Sequence, residues 1–448
     1  MRRVDRRGAL AAMSGTNAGR VLERLWRPDV AQVSLSLLDQ GVVSGASFVT
    51  TLLLGRLAGF QQLGLYMLGF SMTVLALAVH DALVAAPYIA WSNRLQGARA
   101  RRYAGATLLI LVGLGVGLAL ALGLTAGGLL LGGARDLARQ FAVLAWAGPL
   151  VVLREFVRRH AFARLHLRAA LACDTAVACL QVSLLAALAW TNQLSGWTAQ
   201  AAIGVACGLV AAGFLWRDRS RFEVRRRHVG LGMQRNWRIG RWSLAGLSLA
   251  ALGGHFVNPW LLAILLDERA TGLFGACAAV LAFSNPLLLA AGNLLSPRTA
   301  RAYAAGGTPA VTRMVRRSTA LLSASMMLFC GAVALWGERL MELLFGRAQP
   351  GQHQMLLVLA LSTFVAAAVI PADIGLWAVE RADINFRSRL AGVVFTALGS
   401  LALIHRLGLV GAAYGQLLGN LAAAAVTGIA YRSILHVRPT GGAGSENR

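Results

Sequence analysis

The sequence predicts an all-α polytopic membrane protein of about twelve transmembrane helices. They form two six-helix lobes, parallel repeats about a pseudo-twofold axis, with a central cleft and both termini in the cytoplasm. Three observations carry that expectation. The 448 residues are 57% hydrophobic and 14% charged, with mean hydropathy +0.61, whereas soluble domains carry nearer ~25% charged residues. The apolar residues gather into runs long enough to cross a ~30 Å hydrocarbon core as helices. One stretch also recurs: Leu52 to Phe70 ends an apolar run, turns and opens another, and the chain from Leu261 repeats the plan. Gly64-Leu65-Tyr66 is answered by Gly272-Leu273-Phe274, 208 residues on, and a repeat of that period implies two halves of similar build.

Residues 1–33 read as a basic cytoplasmic arm, because the charged start precedes too few apolar residues for the ~7–15-residue core of a secretion signal. Within it, Val21 to Trp26 suits either a short amphipathic helix or an unstructured tail. Six spans follow in a first lobe, 34–216, near 34–55, 64–91, 104–131, 138–158, 169–191 and 196–216. Residues 217–241 form a basic linker with nine arginines. The second lobe, 242–431, holds spans near 242–266, 271–295, 318–337, 354–378, 390–405 and 409–431, and 432–448 is a cytoplasmic tail. The eleventh span is the weakest, since His405 and Arg406 interrupt it. Six spans per lobe is an even number, so both halves enter from the same side and the repeats are parallel.

All 43 basic residues are arginine, giving a net charge of +25. In a soluble chain that would suggest nucleic acid. Here the arginines lie between apolar runs, 36 on the side of the termini and 7 on the other, which is the positive-inside signature of a multi-pass protein in the cytoplasmic (inner) membrane. The linker arginines either attract anionic headgroups, at ~1 kcal/mol each, or guide an anionic substrate. The five cysteines lie inside spans with no Cys-x-x-Cys pair, so neither a disulfide framework nor a metal site is expected, and no cofactor is implied. No phosphate-binding nucleotide loop is present. The longest opposite-side loop, Gly337 to His353, is too small for a catalytic domain. No enzyme is therefore expected, and an integral-membrane polysaccharide polymerase or ligase is the weakest alternative.

Ionisable groups inside a bilayer are costly and are functional candidates by default. His80 and Asp81 in the second span and His255 in the seventh fall near the midplane. Asp81 with a histidine reads as a proton-responsive pair or as an internal structural pair. Asp39, Arg154, Glu155, Arg158, Asp174 and Asp373 lie toward the cytoplasmic ends, and their mixed signs suit either an inner gate coupled to an ion or mutual neutralisation. Pro87, Pro149, Pro259, Pro286 and Pro371 interrupt spans; Pro259, beside His255 and Asn258, is the preferred hinge, a static kink being the other reading.

Gly55-Arg56-Leu57-Ala58-Gly59, then Phe60-Gln61-Gln62 and Leu63-Gly64-Leu65-Tyr66, resembles the first external turn of the polysaccharide transporter branch (Wzx-like flippases) of the multidrug/oligosaccharidyl-lipid/polysaccharide exporter superfamily. The family's acidic turn residues are replaced here by Gln61 and Gln62. Leu344-Phe345-Gly346 resembles its ninth-to-tenth connection, and Leu407-Gly408-Leu409-Val410-Gly411-Ala412-Ala413 the start of its twelfth span. The resemblance implies a flippase for polyprenyl-pyrophosphate-linked oligosaccharide, serving O-antigen, capsule or exopolysaccharide assembly. Its partners would be that lipid-linked substrate, the bilayer and polysaccharide polymerase or assembly proteins, with no nucleic acid. It further implies that the first, second, seventh and eighth spans line the cleft. His80 and Asp81 would then face it from one lobe, His255 and Asn258 from the other. Arg56 would hold a phosphate when the protein opens outward, or snorkel to the interface. A drug or cation antiporter of the same superfamily is the alternative.

Overall fold

A computed structural model describes residues 28–92, 94–164, 166–346 and 351–436, and among them the chain is helical with no strand. Most of the expected N-terminal arm and the tail beyond 436 lie outside the described residues. The first half contains α1 (Pro28–Leu53), α2 (Phe60–His80), α3 (Ala86–Ser92), α4 (Gly97–Leu131), α5 (Arg135–Ala163), α6 (Leu167–Trp190) and α7 (Gly196–Arg217). The second contains α8 (Val229–Ala251), α9 (Val257–Leu265), α10 (Glu268–Leu281), α11 (Asn285–Phe345), α12 (Gln352–Ala378), α13 (Ala382–Leu407) and α14 (Leu409–His436). Eleven described stretches are long and apolar enough to cross a membrane. The count is one short of twelve because the eighth and ninth spans join in one stretch, Glu268–Phe345. Gly306 and Gly307 break it, Gly307 with φ 60, a left-handed value that a residue without Cβ adopts at little cost.

Local chemistry sets the turns. Ser195 and Thr198 form a capping box that starts α7, and Asp267 accepts a hydrogen bond from the Ala270 N–H at 2.7 Å to start α10; such caps satisfy orphan donors. Gly346, at φ 86, closes α11. In the weak eleventh span, α13 continues through His405 and Arg406 and holds both in its last turn, where basic groups favour the negative end of the helix dipole.

The linker departs from the expected 217–241 loop. After two short 3₁₀ turns it becomes α8 at Val229, a helix that runs on into the seventh span. Its N-terminal part docks on the first half: the Tyr103 hydroxyl donates to Asn236 Oδ1 at 2.8 Å, and Gly240 lies against the Ala82 carbonyl. At the second contact the absence of a side chain on Gly240 lets the backbones approach closely.

The two recurring stretches meet. A Cβ on Gly64 would overlap the Glu268 carbonyl, and one on Gly272 would overlap the Phe60 carbonyl. Residues 60 and 268 are 208 apart, as are 64 and 272, so α2 and α10 cross in a self-complementary contact of the kind a twofold relation produces. Met67 and Gly275, again 208 apart, touch one turn further on. Around the crossing, Leu54, Leu63 and Tyr66 pack with Phe274, Met341, Phe345 and Leu356 in one buried cluster. This apolar seal joins the halves on the arginine-poor side.

Candidate functional site

Beneath the seal, on its arginine-rich side, a cavity of about 290 Å³ separates the halves. From α1 it is lined by Gln40, Ser44, Ser47 and Thr51, spaced four, three and four residues apart and therefore on one helical face, over a length of ~16 Å. Tyr66 and Phe70 of α2 contribute aromatic faces and Met67 its thioether, and the second half supplies His255, Pro259, Thr271, Phe274 and Asn285. His255 meets the edge of Phe70 with ring centroids 6.0 Å apart, and Phe48 meets Phe283 at 4.8 Å. The Trp260 indole donates to Ser71 Oγ across the halves at 2.9 Å. The described lining residues offer hydroxyls, amides and an imidazole, and include no carboxylate.

The carboxylates gather elsewhere in the first half, in one ion network linking α1, α2, α5 and α6. Arg158 pairs with Asp39 at 2.7 Å, with Asp174 at 2.6 Å and with Glu155 at 3.3 Å. Arg154 also pairs with Asp174 and Glu155. Arg159 reaches Glu155 at 2.9 Å and Asp81 at 3.0 Å, and His80 Nδ1 lies 3.4 Å from Asp81. Four carboxylates thus face three guanidinium groups, with His80 fully buried at their edge. Such a cluster is tolerated inside a membrane protein because its members neutralise one another. A smaller cavity of about 150 Å³ reaches Arg154 and Asp174 from the side of Tyr66 and Phe70.

The structure therefore sorts the sequence candidates. Asp39, Arg154, Glu155, Arg158, Asp174, His80 and Asp81 come together, joined by Arg159, which the sequence did not single out. Asp373 stands apart in the second half, where its carbonyl accepts from Asn385 at 3.1 Å and its carboxylate from Thr427 at 3.4 Å. His80 and Asp81, expected in the cleft, are drawn into the ion network instead, because Arg159 outcompetes the cavity for Asp81. Asn258, also expected there, faces into the second half: it donates to Gln416 and accepts from Ser400, both at 2.7 Å. Its neighbours His255 and Pro259 do line the cavity.

Arg56 lies at the arginine-poor end, where it donates to the Leu343 carbonyl at 2.9 Å and so ties the first half to α11. With Arg269, Gly59, Phe60 and Gly346 it borders a surface hollow of about 640 Å³. Arg56, Asp81 and His255 each fall in a π-helical turn, Leu54–Ala58, Asp81–Ala85 and Leu252–Phe256 respectively. Such turns insert a residue into the helix and occur often at functional positions. The polar cavity face of α1 was missed, although its spacing in an otherwise apolar helix was a readable signal.

Neither a family model nor a curated relative matches the chain. Solved structures do. An inward-facing multidrug resistance MATE family transporter of the MOP superfamily superposes with a TM-score of 0.73 at 16% identity, covering 87% of this chain and 94% of its own. An outward-facing transporter of that description gives 0.65 at 14% identity, covering 91% and 96%. A MOP superfamily transporter from Pyrococcus furiosus, whose binding pocket is described as reversed in polarity, also gives 0.65 at 14% identity, covering 91% and 96%. The chain thus has the multi-pass, all-α fold of the MATE transporters of the MOP superfamily.

Proposed function

We propose that the protein is a transporter of the cytoplasmic membrane that moves polyprenyl-pyrophosphate-linked oligosaccharide by alternating access, coupled to an ion gradient. The observation that carries this reading is the composition of the cavity wall. Hydroxyls, amides and aromatic faces suit sugar hydroxyls and rings, and a wall without carboxylates lacks the fixed negative charge that would retain a cationic drug. The apolar seal above it matches the closed side that alternating access needs, and the arginine-rich side faces the compartment where such a lipid is made. The superposition on an inward-facing transporter supports the same polarity. Coupling is assigned to the ion network, where four carboxylates and His80 leave room for a proton beside three arginines.

A drug or cation antiporter is the second reading, favoured by the fold and by Asp174 on the wall of the smaller cavity. Proteoliposomes separate the two. Lipid-linked oligosaccharide loaded on one leaflet should become accessible to an added glycosidase on the other when a proton gradient is imposed, and His255→Ala should slow this at least ~10-fold. Gradient-driven uptake of a cationic dye without lipid translocation would establish the antiporter instead.

A further inference from the structure

Three guanidinium groups converge on one indole where the linker helix meets the first half. Arg94 lies 5.6 Å from the Trp91 ring centroid, Arg235 5.4 Å and Arg238 5.7 Å. Arg235 and Arg238 are one turn apart on α8 and so share a face, whereas Trp91 and Arg94 close the second span. A ring face attracts cations, but three like charges crowded onto one indole repel each other. Nearby acids are engaged elsewhere: Glu223 pairs with Arg102 and Arg225, and Asp218 with Arg221. The buried Trp91 indole N–H has no hydrogen-bond acceptor. Among the described residues no carboxylate pairs with Arg94, Arg235 or Arg238, so these three charges are left for an anion to neutralise.

We infer that Trp91, Arg94, Arg235 and Arg238 form an anion site for a phosphate or diphosphate group, which fastens the linker helix to the first half. Guanidinium forks match phosphate oxygens in pairs, and the Trp91 ring gives all three a common surface to lie against. An occupant contacts both sides of the junction, so it favours the arrangement in which α8 is docked. The site does not depend on which substrate occupies the central cavity. Its ligand chemistry is shared by an anionic phospholipid headgroup and by the diphosphate of a polyprenyl lipid.

The test uses the full chain in nanodiscs of phosphatidylcholine, titrated with inorganic pyrophosphate by calorimetry. Binding that weakens with added salt and falls at least ~10-fold in the R235Q/R238Q double variant supports the site, provided that R313Q/R316Q, which removes the same charge from α11, keeps wild-type affinity. Equal affinity in R235Q/R238Q, or an equal loss in R313Q/R316Q, overturns it. Should R235Q/R238Q fail to fold, Trp91→Leu takes its place, with the same readings. Repeating the titration in discs containing phosphatidylglycerol separates the two sources. Weaker pyrophosphate binding there assigns the site to a phospholipid headgroup, and unchanged binding reserves it for a diphosphate.

Discussion

Arg158 shows how much one buried charge can hold in place. Its side chain is 15% exposed and reaches three carboxylates on three helices, so Arg158→Met takes the guanidinium from Asp39 and leaves Asp174 with Arg154 alone, both acids being almost completely buried. Breaking one partner out of a buried ion cluster costs about 3–5 kcal/mol. The Arg139–Asp136 pair, 64% and 60% exposed, should contribute only ~0–1 kcal/mol. A thermal melt in detergent should therefore show a large fall in midpoint for R158M and almost none for R139A. Asp81 tests coupling rather than stability. D81N keeps the shape and removes a charge beside His80, so transport should lose most of its dependence on the proton gradient; full dependence would move coupling away from this network. At this scale the sequence exposed the charges but not their partners. Asp81 was legible as an intramembrane acid, but its partner Arg159 lay in a run with Arg158 and His160, and only helix packing chose between them. The turn of Asn258 away from the cavity was invisible for the same reason: the residue that claims it, Gln416, is 158 positions away.

Among the elements, the crossing of α2 and α10 carries the sharpest expectation. Gly272 faces the Phe60 carbonyl, which is fixed by its own helix, whereas Gly275 faces the flexible Met67 side chain. An added methyl is accommodated by moving a side chain far more cheaply than by moving backbone. Gly272→Ala should then cost at least ~1–3 kcal/mol, the usual range for overpacking, and Gly275→Ala much less. The loss in G272A should also weaken the seal, read as faster labelling of a cysteine placed at Thr51 by a reagent added on the arginine-poor side. The sequence announced this crossing through its 208-residue repeat, although not that the two copies touch. The spans were legible from apolar length alone. The helical linker was not, because glycine disfavours a helix on its own, and Gly232 and Gly240 are packed only once the first half supplies Ala106, Ile110 and the Ala82 carbonyl against them. The π-helical turns left no pattern, since one inserted residue shifts the helical phase without changing composition.

For the whole molecule, the question is which side the cavity serves at rest. The apolar seal, the Arg56 tie to α11 and the Phe60–Phe345 contact, with ring centroids 6.0 Å apart, all close the arginine-poor side. The cavity extends from Thr51 down α1 to Gln40, toward the other. If the 36-to-7 division of arginines sets orientation as the positive-inside rule requires, the resting state opens to the cytoplasm. A Ser47→Cys variant, in a background with Cys179 and the four other cysteines replaced by alanine, should react with a membrane-impermeant maleimide in inside-out vesicles and resist it in right-side-out cells. Imposing a proton gradient should then shift some of the reactivity to right-side-out cells, because under the proposed coupling a rearrangement of the ion network is passed to the seal through α1 and α2, which carry residues of the network and pack against the seal. Labelling that stays on one side under the gradient would mean that the network stabilises a single conformation, and the work of opening the seal would fall to the substrate.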